Sequence, residues 1–292
     1  MIGRLLTRLI DAQAAWTKPF GDAVHGLLHP LFQRLWWLRD LLIGRWLGHP
    51  LHPALTDAPI GILLLVTVFD VLGQGDAARI SLVLGVLATL AAALPGLADF
   101  ADTDGRARVR ATLHGTVMVV ALIGYLVSLA LRLGDLDSPA AIWLAGFSFL
   151  VLILGAYVGG DVAYVLGNMV NHHAFRGAGT KWVALEPAEL EADGSIPVGR
   201  PVRAKLGVNG LVLVSDGTRI LALHDTCAHA GGPLAEGLVV DGQIECPWHA
   251  SRFELATGHV RRGPSVYDQP AYEVRQREGG GWEARRTPTG GC

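Results

Sequence analysis

The chain has 292 residues, 51% of them hydrophobic and only 17% charged, with a mean hydropathy of +0.37. That balance excludes an ordinary water-soluble globule, and the length leaves room for about two domains. Lys and Arg number 24 against 26 Asp and Glu, a net charge of −2, so nothing points to nucleic acid or another polyanion as a partner.

Composition changes sharply near Gly177: the chain is mostly apolar before it and mixed after it. Residues 1–48 interleave Arg4, Arg8, Lys18, Arg34, Arg39 and Arg45 with Leu, Ile and Trp. Leu5, Leu6, Leu9 and Ile10 share one helical face, and Trp16, Trp36, Trp37 and Trp46 suit a membrane–water interface. This arm predicts one or two amphipathic helices lying on the bilayer, or else helices capping the protein itself. No apolar stretch followed by a small-residue cleavage site is visible, so the arm is expected to stay attached.

Four apolar runs follow, near residues 55–72, 80–98, 112–132 and 140–160. Each approaches the ~20 residues that a bilayer crossing needs. The short connectors 73–79 and 133–139 make neighbouring helices antiparallel, so residues 49–175 predict a four-helix transmembrane bundle. Four crossings put the N-terminus, the 99–111 loop and the C-terminal domain on one side. Before the last helix that side carries nine Lys or Arg, six in residues 1–53 plus Arg106, Arg108 and Arg110. The opposite loops carry Arg79 and Arg132 alone. The excess of basic residues places both termini in the cytoplasm of a bacterial-type, multi-pass membrane protein.

Five histidines fall by topology at one membrane face: His49 and His52 before the first helix, His114 opening the third, and His172 and His173 after the fourth. They are candidates for holding haem or a quinone, His52 and His114 being the better placed. The alternative is a structural role, with interfacial imidazoles reaching toward headgroups. Asp57 and Asp161 flank the helix ends. On HPLHPALTDAPIG, on Asp99-Phe100 with His114 downstream, and on GGDVAYVLGN, this half resembles a bacterial membrane domain of unknown function, the domain-of-unknown-function 2231 type, over about residues 45–175. That resemblance implies a fold and no chemistry. Asp57 departs from it, standing where an uncharged residue is expected.

Beyond Gly179 short alternating segments set off by turn signals predict a small all-β antiparallel domain. KWVALE, RPVRAKLGV, GLVLVSDG, TRILALHD, GQIECPW, SRFELATG, AYEVRQREG and GWEARR read as strands, with turns at Val208-Asn209-Gly210 and Ser215-Asp216-Gly217. Within them lie two mixed pairs, Cys227-x-His229 and Cys246-x-x-His249, sixteen residues apart. A zinc site usually joins C-x-x-C to H-x₃₋₅-H, which these pairs do not fit. A Cys227–Cys246 disulfide would require an exported domain. One thiolate and one imidazole per pair is instead what an iron–sulfur cluster with one thiolate-held and one imidazole-held iron requires.

Residues 181–286, with CAHAGGPLAEG and CPWHASRF, resemble the Rieske family, whose two loops grip a 2Fe–2S cluster. The resemblance implies Cys227, His229, Cys246 and His249 as iron ligands, each imidazole leaving its second nitrogen near the surface. Around them, Gly231, Gly232 and Pro233 are expected to fold the first loop tightly, the glycines offering N–H groups to the cluster, and Pro247 to stiffen the second. Gly232 and Trp248 stand where high-potential members carry a disulfide, and Phe253 where they often carry a tyrosine, while Ser251 matches a hydroxyl directed at a cluster sulfide. His224 and His259 lie outside the motif and read as solvent-facing.

The expectation is a membrane-anchored Rieske-type electron carrier with a bilayer-embedded half and an unidentified reductase- or oxygenase-type redox partner. The alternatives are a two-centre membrane oxidoreductase, with haem b or quinone in the helical half, and a redox-sensing module. Neither a two-histidine, one-carboxylate metal motif nor a nucleotide-binding glycine loop is visible, so an electron-transfer component is expected rather than an enzyme alone. The expected divisions are 1–48 arm, 49–175 membrane domain, 176–180 linker, 181–286 cluster domain and 287–292 tail, the last holding Cys292.

Overall fold

A computed structural model describes residues 2–173 and 181–287. The 176–180 linker, the tail beyond Thr287 and Cys292 lie outside the described residues. The chain divides into two compact units, one of residues 1–43 and 50–168, the other of residues 44–49 and 169–292.

The first unit is helical. Helices α4 (Leu51–Val71), α5 (Gly75–Phe100), α6 (Gly105–Leu131) and α7 (Pro139–Gly160) are each long and apolar enough to cross a membrane. Pro50 precedes α4 and Pro139 opens α7, positions where a missing N–H is harmless, and Gly73 at φ +68° closes the first hairpin. Small residues let the helices approach: a Cβ on Gly85 would meet Leu63, one on Gly124 would meet Ser148, and one on Gly155 would meet Met118. Helix α6 starts about two turns earlier than its apolar run, because its three arginines are helical rather than loop residues. Arg110 is buried and paired with Asp161 and with Asp11, the latter at 2.9 Å, while Arg108 bonds Asp22 at 2.9 Å.

The N-terminal arm forms three helices, α1 (Ile2–Ala12), α2 (Ala14–Arg34) and α3 (Trp36–Leu42). They cap the bundle as well as presenting an apolar face. Gly21 lies against Thr112, Thr17 and Phe32 are buried, the Nδ1–H of His29 donates to the Ala101 carbonyl at 2.9 Å, and buried Arg39 reaches Asp102 at 3.3 Å. Leu5, Leu9, Trp16, Trp36 and Trp37 remain exposed.

The two hairpins of the bundle, α4–α5 and α6–α7, repeat one arrangement. The Nδ1–H of His52 donates to the carbonyl of Ala92, and that of His114 to the carbonyl of Gly155, both at 2.8 Å. Four residues on from each acceptor, Gly96 and Gly159 lie against the same two rings. Eighteen residues after each histidine stand Asp70 and Arg132, buried and joined by two hydrogen bonds of 2.8 and 2.6 Å. His114 therefore sits in the third turn of α6 rather than at its start, and His52 inside the first turn of α4.

The second unit holds ten strands among the described residues. A closed antiparallel barrel runs in the order β1-β10-β9-β4-β3-β2, comprising β1 (Val183–Pro187), β2 (Val202–Leu206), β3 (Asn209–Ser215), β4 (Ile220–His224), β9 (Ala271–Gln276) and β10 (Trp282–Arg286). Inserted between β4 and β9 is a four-stranded sheet of β5 (Leu238–Val240), β6 (Gln243–Glu245), β7 (Arg252–Glu254) and β8 (Val260–Arg262). The β2–β3 hairpin turns on Gly207-Val208, with Leu206 opposite Asn209, one to two residues before the predicted Asn-Gly turn, because Gly207 takes the left-handed φ of +60°. Strands β5 and β8, three residues each, are too short to announce themselves by alternation.

Candidate metal centre

Two loops of the inserted sheet carry the mixed pairs. The first runs from β4 to β5 and holds Cys227 and His229; the second joins β6 to β7 and holds Cys246 and His249. Both cysteines are buried in one apolar cluster with Val212, Leu223, Leu234, Ile244 and Phe253. The loops meet: the rings of His229 and His249 lie 5.0 Å apart, nearly perpendicular, and the two thiols are hydrogen-bonded. That hydrogen bond brings Cys246 down to about 7 against the push of burial, whereas the same bond and then burial push Cys227 up. Bound iron would hold both sulfurs as thiolates.

Each loop folds around its own sulfur. The N–H groups of His229 and Ala230 point at Cys227, and those of Trp248 and His249 at Cys246. These donors differ from the predicted ones: the N–H of Gly231, at φ +83°, closes the loop onto the Cys227 carbonyl at 2.9 Å. The Gly232 carbonyl accepts from Cys227 N–H at 2.8 Å. A Cβ on Gly232 would sit 2.8 Å from the Cys246 sulfur and 3.0 Å from the Trp248 ring, so only glycine fits between them. Gly232 and Trp248, the positions matched to a disulfide elsewhere, do touch, and the indole bears directly on the first loop. Pro247 and Trp248 are exposed beside half-buried His249, while His229 is buried. Ser251 is buried and its Oγ accepts the Ser265 N–H at 3.0 Å, which leaves the hydroxyl proton to donate.

The first loop rests on residues that its spacing does not reveal. Buried Gln269 accepts the Ala228 N–H at 2.9 Å and donates to the carbonyls of His224 and Thr226, both at 2.6 Å. His224, expected to face solvent, is buried; its Nδ1 accepts the Thr226 N–H, and its ring lies 4.6 Å from that of His173. His173 Nε2–H donates to the Thr226 carbonyl at 2.8 Å. His259 pairs with Asp268 at 2.8 Å on the surface. Of the five histidines grouped by topology, His52 and His114 come together, their rings 6.1 Å apart; His173 belongs with the first loop, and His49 groups with the second unit. Asp57 is exposed on α4.

Four donors, two sulfurs and two imidazoles from loops in contact, fit a two-iron cluster. The Rieske [2Fe-2S] domain matches residues 186–273, and the predicted membrane protein domain DUF2231 matches residues 48–172. The ferredoxin component of the 2,4-dinitrotoluene dioxygenase system of Burkholderia sp. (strain RASC) is 31% identical over 87 residues, which cover 30% of this chain and 84% of that protein.

The chain belongs to the Rieske family.

The anthranilate 1,2-dioxygenase ferredoxin subunit of Burkholderia cepacia is also 31% identical, over 26% of this Rieske chain and 69% of its own length. Apoptosis-inducing factor 3 of Homo sapiens shares 31% identity over 77 residues, but the chain spans only 13% of that protein. Among solved structures, the ferredoxin of carbazole 1,9a-dioxygenase from Nocardioides aromaticivorans IC177 is 28% identical, covers 35% of this chain and 98% of its own, and has a TM-score of 0.30. The cofactor of this Rieske domain is a 2Fe–2S cluster.

Proposed function

We propose that the chain is a membrane-anchored electron-transfer protein whose cluster is bound by Cys227 and Cys246 on one iron and by His229 and His249 on the other. The observation that carries this reading is the meeting of the two loops, with the two cysteines in one apolar cluster and the imidazole rings 5.0 Å apart. When bound, the cluster supplies a one-electron couple. The protein's share is to hold the sulfurs in an apolar cluster, to direct four backbone N–H groups at them, and to keep His249 half-open beside exposed Trp248. A redox partner of the reductase or oxygenase type docks at that edge, and the dioxygenase systems named by the relatives favour an oxygenase. The four apolar helices hold the carrier in the bilayer, and the excess of basic residues on the terminal side favours a cytoplasmic cluster domain.

Rapid mixing of the dithionite-reduced, desalted protein with cytochrome c tests the reading. One equivalent of cytochrome c reduced per chain is expected from the cluster. None, or a transfer that persists in haem-free Cys246→Ser protein, contradicts it.

A further inference from the structure

The membrane unit contains a second pair of imidazoles that the cluster does not use. We propose that His52 and His114 are the two axial ligands of an iron tetrapyrrole, a haem of the b type, bound between the α4–α5 and α6–α7 hairpins.

Four observations carry it. Each ring gives its Nδ1–H to a backbone carbonyl at 2.8 Å, His52 to Ala92 and His114 to Gly155. A carbonyl only accepts, so in the neutral ring the proton sits on Nδ1 and Nε2 presents a bare lone pair. That is how a metal-ligating histidine is oriented and its tautomer fixed. The centroids lie 6.1 Å apart. With a metal–nitrogen bond of about 2.0–2.1 Å, two imidazoles on opposite faces of one metal have centroids about 6.3–6.5 Å apart, within a few tenths of an ångström of this spacing. Gly96 and Gly159 back the rings so closely that a Cβ would fall 3.0 and 2.9 Å from them, which fixes both rings from behind. The two half-sites are copies in the repeated hairpins, so the ligands come from equivalent positions of facing helices.

The chemistry selects the ligand. Among the described residues no third His, Cys, Asp or Glu joins this pair, so a bare zinc or copper ion would lack half its usual ligands. A tetrapyrrole brings four in-plane nitrogens and needs only two more donors, in the manner of haem sites in helical bundles. A quinone carbonyl needs a hydrogen-bond donor, and a bare Nε2 offers none.

The test is titration of the detergent-purified full chain with hemin, read by visible absorption. One hemin per chain with a six-coordinate, low-spin spectrum is expected. His52→Ala and His114→Ala should each weaken binding at least tenfold and leave a high-spin spectrum, while His172→Ala should match the wild type. His114→Met retains an axial donor and should stay low-spin with a raised potential. Gly96→Val, which keeps both histidines but displaces a ring, should also weaken binding. Hemin uptake that is high-spin in the wild type, or unchanged in both alanine variants, overturns the site. So does a wild type that takes no hemin, including one that instead carries a quinone dependent on the two histidines. The iron–sulfur signal of the same samples is read separately, so failure of the haem site leaves the electron-carrier reading standing.

Discussion

At the scale of single residues, the potential is set by which hydrogens face the sulfurs. A hydrogen bond to a cluster sulfur stabilises the more negative, reduced state and so raises the potential. Ser251 has its acceptor side filled by the Ser265 N–H and keeps its proton to give, while Phe253, fully buried, has no hydroxyl to add. Ser251→Ala should lower the midpoint by roughly 20–65 mV, the one-electron equivalent of a net hydrogen bond of about 0.5–1.5 kcal/mol. An unchanged or raised midpoint in a redox titration would show that the hydroxyl does not face the cluster. The wild type should lie toward the lower end of the roughly −150 to +300 mV Rieske range, and a value above about +150 mV would contradict that ordering. Gln269 makes a separate prediction. Gln269→Leu strands the Ala228 N–H and two carbonyls in a buried place and should cost about 2–3 kcal/mol, seen as a lower thermal midpoint and faster cluster loss. The candidate ligand pairs stand out in the sequence because iron chemistry dictates residue type at short spacing. Gln269 does not, since it supports Ala228 from 41 residues away and glutamine has no spacing signature. His224 was misjudged for a similar reason: its burial depends on Thr226 and His173, which lie across a turn and across the chain.

At the scale of elements, the membrane helices are held by polar pairs as well as by small residues. The guanidinium of Arg132 and the carboxylate of Asp70 are both buried and doubly bonded, so removing one partner leaves an uncompensated charge. Arg132→Ala should destabilise the bundle by about 3–5 kcal/mol. The exchanged pair, Asp70→Arg with Arg132→Asp, should recover part of that loss. Thermal unfolding in detergent decides the matter, and an Arg132→Ala protein as stable as the wild type would refute the pairing. Apolar length announced these four helices. Their early charged turns and the internal repeat were hidden, and capping by the arm stood only as an alternative, because Arg108, Arg110, Asp11 and Asp22 satisfy one another in space across distant parts of the chain. The same pairing qualifies the count of basic residues, since Arg39 and Arg110 are internal.

At the scale of the whole molecule, the proposal joins a bilayer-embedded helical half to a cluster-bearing β half on the cytoplasmic side. A green fluorescent protein fused after residue 292 should fluoresce, and an alkaline phosphatase fused there should be inactive; the opposite pair of results would reverse the orientation. The central claim is that two cysteines and two histidines of a membrane-held chain bind one 2Fe–2S cluster. Electron paramagnetic resonance of dithionite-reduced membranes, with the nitrogen hyperfine couplings resolved, tests it most directly. The account predicts a single 2Fe–2S signal that stays with the membrane fraction, shows two coordinated histidine nitrogens, and vanishes in Cys227→Ser and Cys246→Ser. A signal without nitrogen couplings, or one that survives loss of either cysteine, would contradict it.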